Sequence, residues 1–263
     1  MKSAGRASPE ITETKRNAHR CVQGATQSDA KQKRVRAHSI DWPATLDLSR
    51  KINIDIGTLE RTDGLLKQGE TLITFDPFSP PPPSDNLVSF PFVVADVDGP
   101  VKFRLNGGCG SMEKRNPKAD PTVPGLPHCS KSELKRGMGQ FQLCIQPQET
   151  VLEPPATRLS SFFHNYSIRK VGVLKIDAQG SDFKIVRDVM ERSPEVKIDR
   201  IIAECQKYEK AGPSRQIYAS DNDCLAMERF VKGKYPNVSV FEQVNNCAIA
   251  EYNFIFDFVL GNK

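Results

Sequence analysis

One stretch of the chain, residues 171–189, constrains the fold more than any other. Its sequence, VGVLKIDAQGSDFKIVRDV, begins as a short apolar run and continues as an amphipathic helix, with Asp177 and Gly180 in the turn between them. A continuous apolar run of this length is typical of a strand that is buried on both faces. The segment therefore predicts a strand-turn-helix unit whose turn carries a carboxylate, at the edge where open α/β sheets bind ligands.

Further apolar runs predict the rest of the sheet. We expect strands at residues 51–58, 71–78, 86–99 and 198–205, helices at 181–192 and from about 221 to 232, and two closing β-rich runs at 238–244 and 252–260. Strands that alternate with helices indicate a parallel sheet, and the last two runs have no helix between them. The sequence therefore predicts an α/β fold with a doubly wound, mostly parallel sheet and antiparallel C-terminal strands.

The middle of the chain gives weaker signals. Residues 106–140 are rich in Gly, Pro, Lys and Ser and show no sustained period. We expect them to form a long surface excursion, since loops of such length are usually functional or disordered. Residues 101–106 are predicted to form a hairpin with the strand before them, through the turn at Asp98-Gly99. Residues 142–163 are predicted to contain an edge strand and then a short helix.

The formal net charge of +5 is concentrated near the N-terminus, where the first 40 residues hold nine Lys or Arg and three Asp or Glu. A nucleic-acid-binding domain would carry its positive charge on the folded body instead. We expect residues 1–45 to form a basic, disordered tail and residues 46–263 to form the folded domain. Organelle targeting by the tail is the weaker interpretation, because Pro9, Glu10 and Glu13 interrupt the acid-poor pattern of transit peptides.

The cysteines and the apolar runs bear on the compartment. The chain has seven scattered cysteines, none of them in a CxxC pair. Such a set suits reduced thiols better than a disulfide framework, and it does not indicate a zinc site. The sequence contains no run of about 18 apolar residues and no apolar core of a secretory signal near its start. We therefore expect a cytoplasmic protein without a membrane span or a bound metal.

Three predicted strands end in an aspartate beside a turn. The pairs of aspartate and turn residue are Asp55 with Gly57, Asp76 with Pro77, and Asp177 with Gly180. Any one of them has a simple explanation, because aspartate is a common turn former and helix cap. In a parallel sheet, however, the carboxyl ends of the strands face one crevice. The three side chains are therefore expected to converge on one ligand.

The residue types at these positions narrow the choice of ligand. Asp76, at the end of the second strand, is placed to accept hydrogen bonds from both hydroxyls of a ribose. Gly57 lets the backbone approach a bound molecule closely. The glycine fingerprints of dinucleotide and nucleotide phosphate sites do not occur in the sequence. A ribose acceptor without a phosphate cradle suits S-adenosyl-L-methionine, whose cationic groups would be attracted by carboxylates.

Five stretches resemble, in order, the motifs of one enzyme family. They are INIDIGT, LITFDPF, VVADVDGPVKFRLNGGCGSM, VLEPPATRLSSFF and VGVLKIDAQGSDFKIVRDV. The last is similar to the LLKIDVEGAELEVLKG signature of FkbM-type S-adenosylmethionine-dependent methyltransferases, and the resemblance covers roughly residues 51–259. It implies a Rossmann-like methyltransferase sheet with S-adenosyl-L-methionine as the cofactor.

The resemblance also implies a role for each matching position. Asp55 and Gly57 would contact the methionine end of the cofactor, Asp76 its ribose, and Asp96 would lie near the adenine. Asp177 would be the catalytic residue, which orients the acceptor hydroxyl and takes its proton.

The chain departs from the family pattern at three places. Gln179 stands where the family usually has Glu, Asp182 replaces a second Glu, and TLERTDG follows Gly57 in place of a second close-set glycine. These departures bear on activity more than on fold.

Other titratable residues have competing interpretations. Lys175, two residues before Asp177, could lower the pKa of that carboxyl if it reaches it. His128 and His164 are rival bases in segments without predicted rigidity. Glu204 ends the strand RIIAE and could join Asp177 in holding a divalent ion, but a solvated carboxylate is the favoured interpretation.

The leading functional hypothesis is an O-methyltransferase that acts on a hydroxyl of a small molecule or a glycan, with no specific nucleic-acid partner. The alternative is a non-catalytic protein of the same fold that binds S-adenosylmethionine or a protein partner, favoured by the altered segment 179–182. A nicotinamide oxidoreductase is disfavoured because the glycine fingerprint is missing. A nucleic-acid binder rests on the charged tail alone.

Overall fold

The computed structural model describes residues 47–58, 64–78, 80–105, 109–120, 122, 129–145 and 150–259. The predicted N-terminal tail and His128 lie outside these residues, so the domain boundary near residue 46 stays a prediction.

The described elements are twelve strands, five α-helices and one 3₁₀-helix. The strands are β1 (Lys51–Ile56), β2 (Glu70–Phe75), β3 (Leu87–Phe90), β4 (Val93–Ala95), β5 (Gly99–Pro100), β6 (Phe103–Leu105), β7 (Thr150–Leu152), β8 (Pro155–Arg158), β9 (Lys170–Ile176), β10 (Lys197–Gln206), β11 (Ser239–Asn246) and β12 (Glu251–Asp257). The helices are α1 (Lys131–Cys144), α2 (Leu159–Asn165), α3 (Asp182–Arg192), α4 (Tyr208–Ala211) and α5 (Cys224–Lys234), with a 3₁₀ turn at Pro213–Arg215. Among the described residues, no helix combines the length and the apolar character needed to cross a membrane.

Seven strands form the main sheet, in the order β11-β12-β10-β9-β1-β2-β3. Strands β3, β2, β1, β9 and β10 run parallel to one another, whereas β12 is antiparallel to both β10 and β11. The predicted mostly parallel sheet with antiparallel C-terminal strands is confirmed. Because β1 has β2 on one side and β9 on the other, the strand order reverses at β1, and a crevice opens beyond the carboxyl ends of these strands.

The central strands are buried on both faces, as their apolar sequences predict. In β1, Ile52, Ile54 and Ile56 are all less than 5% exposed. Helix α3 covers one face of the sheet with the predicted residues Phe183, Val186 and Met190, each of them buried. This packing holds the strand-turn-helix unit of β9 and α3 rigidly in place.

The run at 86–99, predicted as one strand, is divided into several. Strand β3 belongs to the main sheet, whereas β4 pairs with β8 in a small separate sheet. Pro91 lies between β3 and β4 and has no amide hydrogen to continue a ladder. The predicted hairpin at residues 101–106 is also wrong, because β6 pairs with β7, about 45 residues further along the chain.

Residues 131–144 form helix α1, where the sequence predicted an irregular excursion as far as residue 140. The edge strand and the short helix predicted within residues 142–163 are present as β7 and α2. Ser130 caps helix α1, since its hydroxyl accepts from the Glu133 amide at 3.3 Å and the Glu133 carboxylate accepts from the Ser130 amide at 2.9 Å. The spacing of serine and glutamate is that of a capping box, which is the sequence signal that could have revealed the helix.

Six cysteines form three disulfides: Cys109–Cys144, Cys129–Cys247 and Cys205–Cys224, with Cα atoms 5.3, 5.9 and 5.1 Å apart. The expectation of reduced thiols is wrong for these six, and Cys21 lies outside the described residues. The first disulfide joins the segment that precedes α1 to the end of that helix. The second joins the residue before the helix cap to the turn between β11 and β12. The second disulfide therefore fastens the 109–145 region to the β11–β12 turn, whereas the first is a crosslink within that region.

Candidate active site

A pocket lies at the carboxyl ends of β1, β2 and β9, where the strand order reverses. Gly57, Asp76 and Asp177 line it, so three of the five predicted site residues meet there. Its walls are largely apolar and aromatic, formed by Phe78, Phe92, Val94, Phe103, Leu105 and Met112. An apolar cleft with a few converging polar groups is the common form of a small-molecule site.

Gly57 brings the ends of β1 and β9 together. Its φ of +82° lies in the left-handed region, and a Cβ atom there would lie 2.1 Å from the backbone oxygen of Asp177. The amide of Gly57 donates to Phe75 at 2.9 Å, and that of Asp177 donates to Ile56 at 3.0 Å. Only glycine fits this position, because any side chain would push the backbone of Asp177 away.

Asp76 is held at the end of β2, where the residue is 3% exposed. Its Oδ1 accepts from the Phe78 amide at 2.9 Å, and its own amide donates to Phe90 at 3.1 Å. The ring of Phe78 contacts that of Phe103, with centroids 5.2 Å apart. A fixed carboxylate therefore lies beside an aromatic wall.

Asp55 and Asp96 take other positions. Asp55 is fully buried, and its Oδ1 lies 3.1 Å from the Lys175 Nζ. Lys175 thus pairs with Asp55, where the sequence suggested Asp177 as its partner. Asp96 is exposed, and its backbone oxygen accepts from the Arg158 guanidinium at 2.7 Å. The short strand β4 ends before Asp96. Among the described residues that line the pocket, Val94 of this strand is the one nearest to Asp96 in sequence.

Asp177 is half-buried and hydrogen-bonded to a neighbour in the same turn. The amide group of Gln179 donates to Asp177 Oδ1 at 2.7 Å and to Glu204 Oε2 at 3.3 Å. The predicted rival base His164 is exposed, on helix α2. Asp177 therefore lines the pocket with its carboxylate held by a hydrogen bond from Gln179.

A group of buried carboxyls adjoins Asp177. Glu204 is 6% exposed, so the favoured interpretation of a solvated strand end is wrong, and Glu251 and Asp182 are buried beside it. Burial raises the pKa of Glu204 well above its ordinary value, and repulsion from Asp177 adds to this shift. The pKa of Glu251 and that of Asp182 are each raised to about 8, mainly by burial and secondly by repulsion from Asp177.

Sequence reasoning missed two residues of this region, Glu251 and Tyr218. Glu251 begins β12 and lies opposite Gln206 in an antiparallel pairing whose register the sequence does not reveal. Tyr218 lies in an irregular segment, and its hydroxyl oxygen is 3.1 Å from both Gln179 Oε1 and the Cys109 backbone oxygen, two acceptors that share its one hydrogen. Within the part of the chain that the structure describes, no group of three or more His, Cys, Asp or Glu side chains is arranged to hold a metal ion.

The raised pKa of Glu251 predicts how stability depends on pH. A carboxyl that keeps its proton in the folded state contributes stability below its unfolded pKa of about 4.3, and this contribution is lost as the pH rises through the folded value. The free energy of unfolding should therefore fall between about pH 5 and pH 8, by up to ~1.4 kcal/mol per pH unit for each such carboxyl. Urea denaturation at a series of pH values measures this slope.

Two variants test the assignment. Glu251→Gln keeps the shape of the protonated side chain, so the wild-type slope should decrease in this variant. The control Glu209→Gln changes an exposed glutamate and should leave the slope unchanged. Equal slopes in wild type and Glu251→Gln would show that Glu251 is not protonated in the folded state.

Comparison with known proteins gives one finding on the family. Residues 60–234 match the family model described as the methyltransferase FkbM domain. The matched range includes Asp76, Asp96 and Asp177, whereas Asp55 and Gly57 precede it. The comparison with curated proteins and the comparison with solved structures gave no match.

Proposed function

Because the chain belongs to the FkbM methyltransferase family, we propose that it is an S-adenosylmethionine-dependent O-methyltransferase that acts on a hydroxyl of a small molecule or a sugar. The observation that carries this proposal is the meeting of Gly57, Asp76 and Asp177 in one pocket at the reversal of strand order. Ligands of open α/β sheets bind at such a position.

The pocket residues fit the proposed cofactor. Asp76 is fixed by the Phe78 amide, and because a carboxylate accepts several hydrogen bonds at once, it can also accept from ribose hydroxyls. Phe78 and Phe103 offer an aromatic surface for the adenine. In this proposal, the apolar wall takes the role near the adenine that the sequence assigned to Asp96.

Asp177 would perform the chemical step. S-adenosylmethionine supplies the methyl group, which is carried on a cationic sulfur. Asp177 would accept a hydrogen bond from the acceptor hydroxyl, orient it and remove its proton. Strand β9 and helix α3 flank Asp177 and hold it rigidly, and such positioning accounts for a large part of the rate in a reaction of this type.

The proposed ribose contact predicts the effect of changing Asp76. Asp76→Ala should weaken the binding of S-adenosylhomocysteine by about 1.5–3 kcal/mol, the range for hydrogen bonds to a charged group. Asp76→Asn should lie between alanine and wild type, since the amide keeps one acceptor oxygen. Isothermal titration calorimetry measures these affinities, and Asp85→Ala, which changes an exposed aspartate, is the control. An unchanged affinity in a folded Asp76→Ala protein would show that Asp76 does not bind a ribose and would contradict the nucleoside part of the proposed ligand.

A second candidate function is ligand or partner binding without catalysis. It is favoured by the bond from Gln179 to Asp177 at 2.7 Å, because this bond takes one of the two carboxylate oxygens of the proposed base. The two functions differ in turnover. A catalytic protein should be stabilised against heat by S-adenosylhomocysteine and should also transfer labelled methyl groups to an acceptor in cell extract. Stabilisation without transfer would favour the binding protein, and stabilisation by NAD or an oligonucleotide would contradict both.

The disulfides bear on the compartment. We propose that the protein works in an oxidising compartment, in place of the cytoplasm expected from the sequence, because disulfides persist mainly in such compartments. If the full chain is purified after passage through a secretory pathway and alkylated before reduction, mass spectrometry should find the six cysteines blocked in the three pairs. Free thiols at these positions would contradict the proposal.

A further inference from the structure

Gln179 is the centre of a hydrogen-bond network at the site. Its side-chain amide donates to Asp177 at 2.7 Å and to Glu204 at 3.3 Å, and its Oε1 accepts from the Tyr218 hydroxyl at 3.1 Å. Its backbone oxygen accepts from the Ser111 hydroxyl at 2.6 Å. Each polar atom of the side chain therefore has a partner on another part of the fold or on the proposed base.

The bond to Ser111 connects Gln179 to the covering segment, which we define as residues 109–113. Gly110 and Met112 of this segment line the pocket, and Ser111 between them is buried. Cys109 anchors the segment through its disulfide with Cys144 and through its backbone oxygen, which accepts from Tyr218. Gln179 thus contacts both the covering segment and the proposed base, Asp177.

The backbone of Gln179 is held in an unusual conformation. Its φ is +48°, in the left-handed region that residues other than glycine rarely adopt. The next residue, Gly180, has a φ of +98°, and a Cβ there would lie 2.8 Å from the ring of Tyr218. The turn is therefore shaped so that the side chain of Gln179 faces Asp177 and the ring of Tyr218 packs against Gly180.

An amide suits this position better than a carboxylate. The amide group donates to two carboxyls and also accepts from a hydroxyl, whereas an ionised carboxylate can only accept. The Gln179 side chain contacts Asp177 from the β9–α3 turn, Glu204 from β10 and Tyr218. These groups interact in turn with Asp182 from α3, Glu251 from β12 and Arg115. A further negative charge beside the Asp177 carboxylate, in these buried surroundings, would be repelled.

We propose that Gln179 is a positioning residue for the methyl transfer: its amide holds the Asp177 carboxylate toward the pocket, and its bonds to Ser111 and Tyr218 make that orientation depend on the covering segment. The inference rests on the proposed function, since it assigns Asp177 the role of base. It also accounts for the presence of glutamine at a position where the FkbM family usually has glutamate.

The test compares Gln179→Glu with Gln179→Met, which has a similar length and no hydrogen-bonding amide. Methyl transfer is measured with labelled S-adenosylmethionine and an active extract fraction from pH 5.5 to 8.5, relative to wild type at each pH. Gln179→Met should lose about 10- to 100-fold in turnover at every pH, the effect of one hydrogen bond to a charged group. Gln179→Glu should lose as much at pH 8 and recover toward wild type at low pH, because the introduced carboxyl can donate only when protonated.

A second measurement does not need the acceptor. The free energy of unfolding of Gln179→Glu, relative to Gln179→Met, should fall as the pH rises from 5 to 8, because the introduced carboxyl ionises among the other carboxyls only with a raised pKa. A constant difference would overturn the network as described. Tyr218→Phe is the milder variant if either Gln179 variant fails to fold, and it should lower turnover while leaving the affinity for S-adenosylhomocysteine unchanged.

The outcomes separate this inference from the proposed function. If wild type does not bind S-adenosylhomocysteine, the proposed function fails. If wild type binds it and transfers methyl groups, but Gln179→Glu and Gln179→Met show the same pH profile or full activity, the positioning role of Gln179 is wrong and the proposed function stands.

Discussion

Asp177→Asn should lower the turnover of methyl transfer about 100- to 10,000-fold, the usual contribution of general base catalysis. Asparagine keeps the size of the side chain and one acceptor oxygen, but it cannot take a proton at neutral pH. The affinity for S-adenosylhomocysteine should remain nearly unchanged, because the proposed cofactor contacts come from Asp76 and the aromatic wall. Single-turnover assays with labelled S-adenosylmethionine, together with calorimetry, separate the two quantities.

The control for this prediction is Asp199→Asn. Asp199 lies near the beginning of β10, at the end of the sheet away from the pocket, and should tolerate the change with normal turnover. If the affinity of Asp177→Asn collapses while turnover per bound cofactor stays normal, Asp177 binds the cofactor and the base lies elsewhere.

Removal of the Cys129–Cys247 disulfide should lower the free energy of unfolding by about 3–5 kcal/mol. This bond closes a loop with a sequence separation of 118 residues, and the entropy that a crosslink removes from the unfolded chain grows with the loop. The double variant Cys129→Ser/Cys247→Ser, compared with wild type in urea without a reductant, measures the loss.

The matched comparison is Cys205→Ser/Cys224→Ser, because this disulfide closes a separation of only 19 residues. The chain-entropy relation makes its stabilisation smaller by about 1.6 kcal/mol. A wild-type protein whose unfolding is the same with and without dithiothreitol would contradict the presence of these disulfides.

The sequence predicted the sheet well because the strands of a parallel sheet carry their own signal. Residues 171–176 and 198–205 are apolar enough to be recognised wherever they lie in the fold. Helix α1 was missed because little of it is apolar: Gly137, Phe141 and Cys144 are its buried residues. A capping box and two disulfides hold it instead, and cysteine spacing does not reveal which cysteines pair.

The site likewise has residues that local sequence reveals and residues whose positions depend on contacts between distant parts of the chain. Gly57, Asp76 and Asp177 could be brought together from the sequence because they follow strands of one parallel sheet. Asp96 is not among the residues that line the pocket, because β4, the strand before it, leaves the main sheet after Pro91. Glu251 and Tyr218 could not be found, since their positions depend on an antiparallel register and on loop contacts far apart in the chain.

The Cys129–Cys247 disulfide also limits when the fold can be completed during synthesis. The chain emerges from its N-terminus, so β1, β2 and β9 are made before Cys247 becomes available to Cys129. Domains fold as the chain is produced, at about 5–20 residues per second. The region around α1 can therefore be crosslinked to the β11–β12 turn only after residue 247 has left the ribosome, so a chain that stops before this residue would carry the pocket-forming strands without this disulfide.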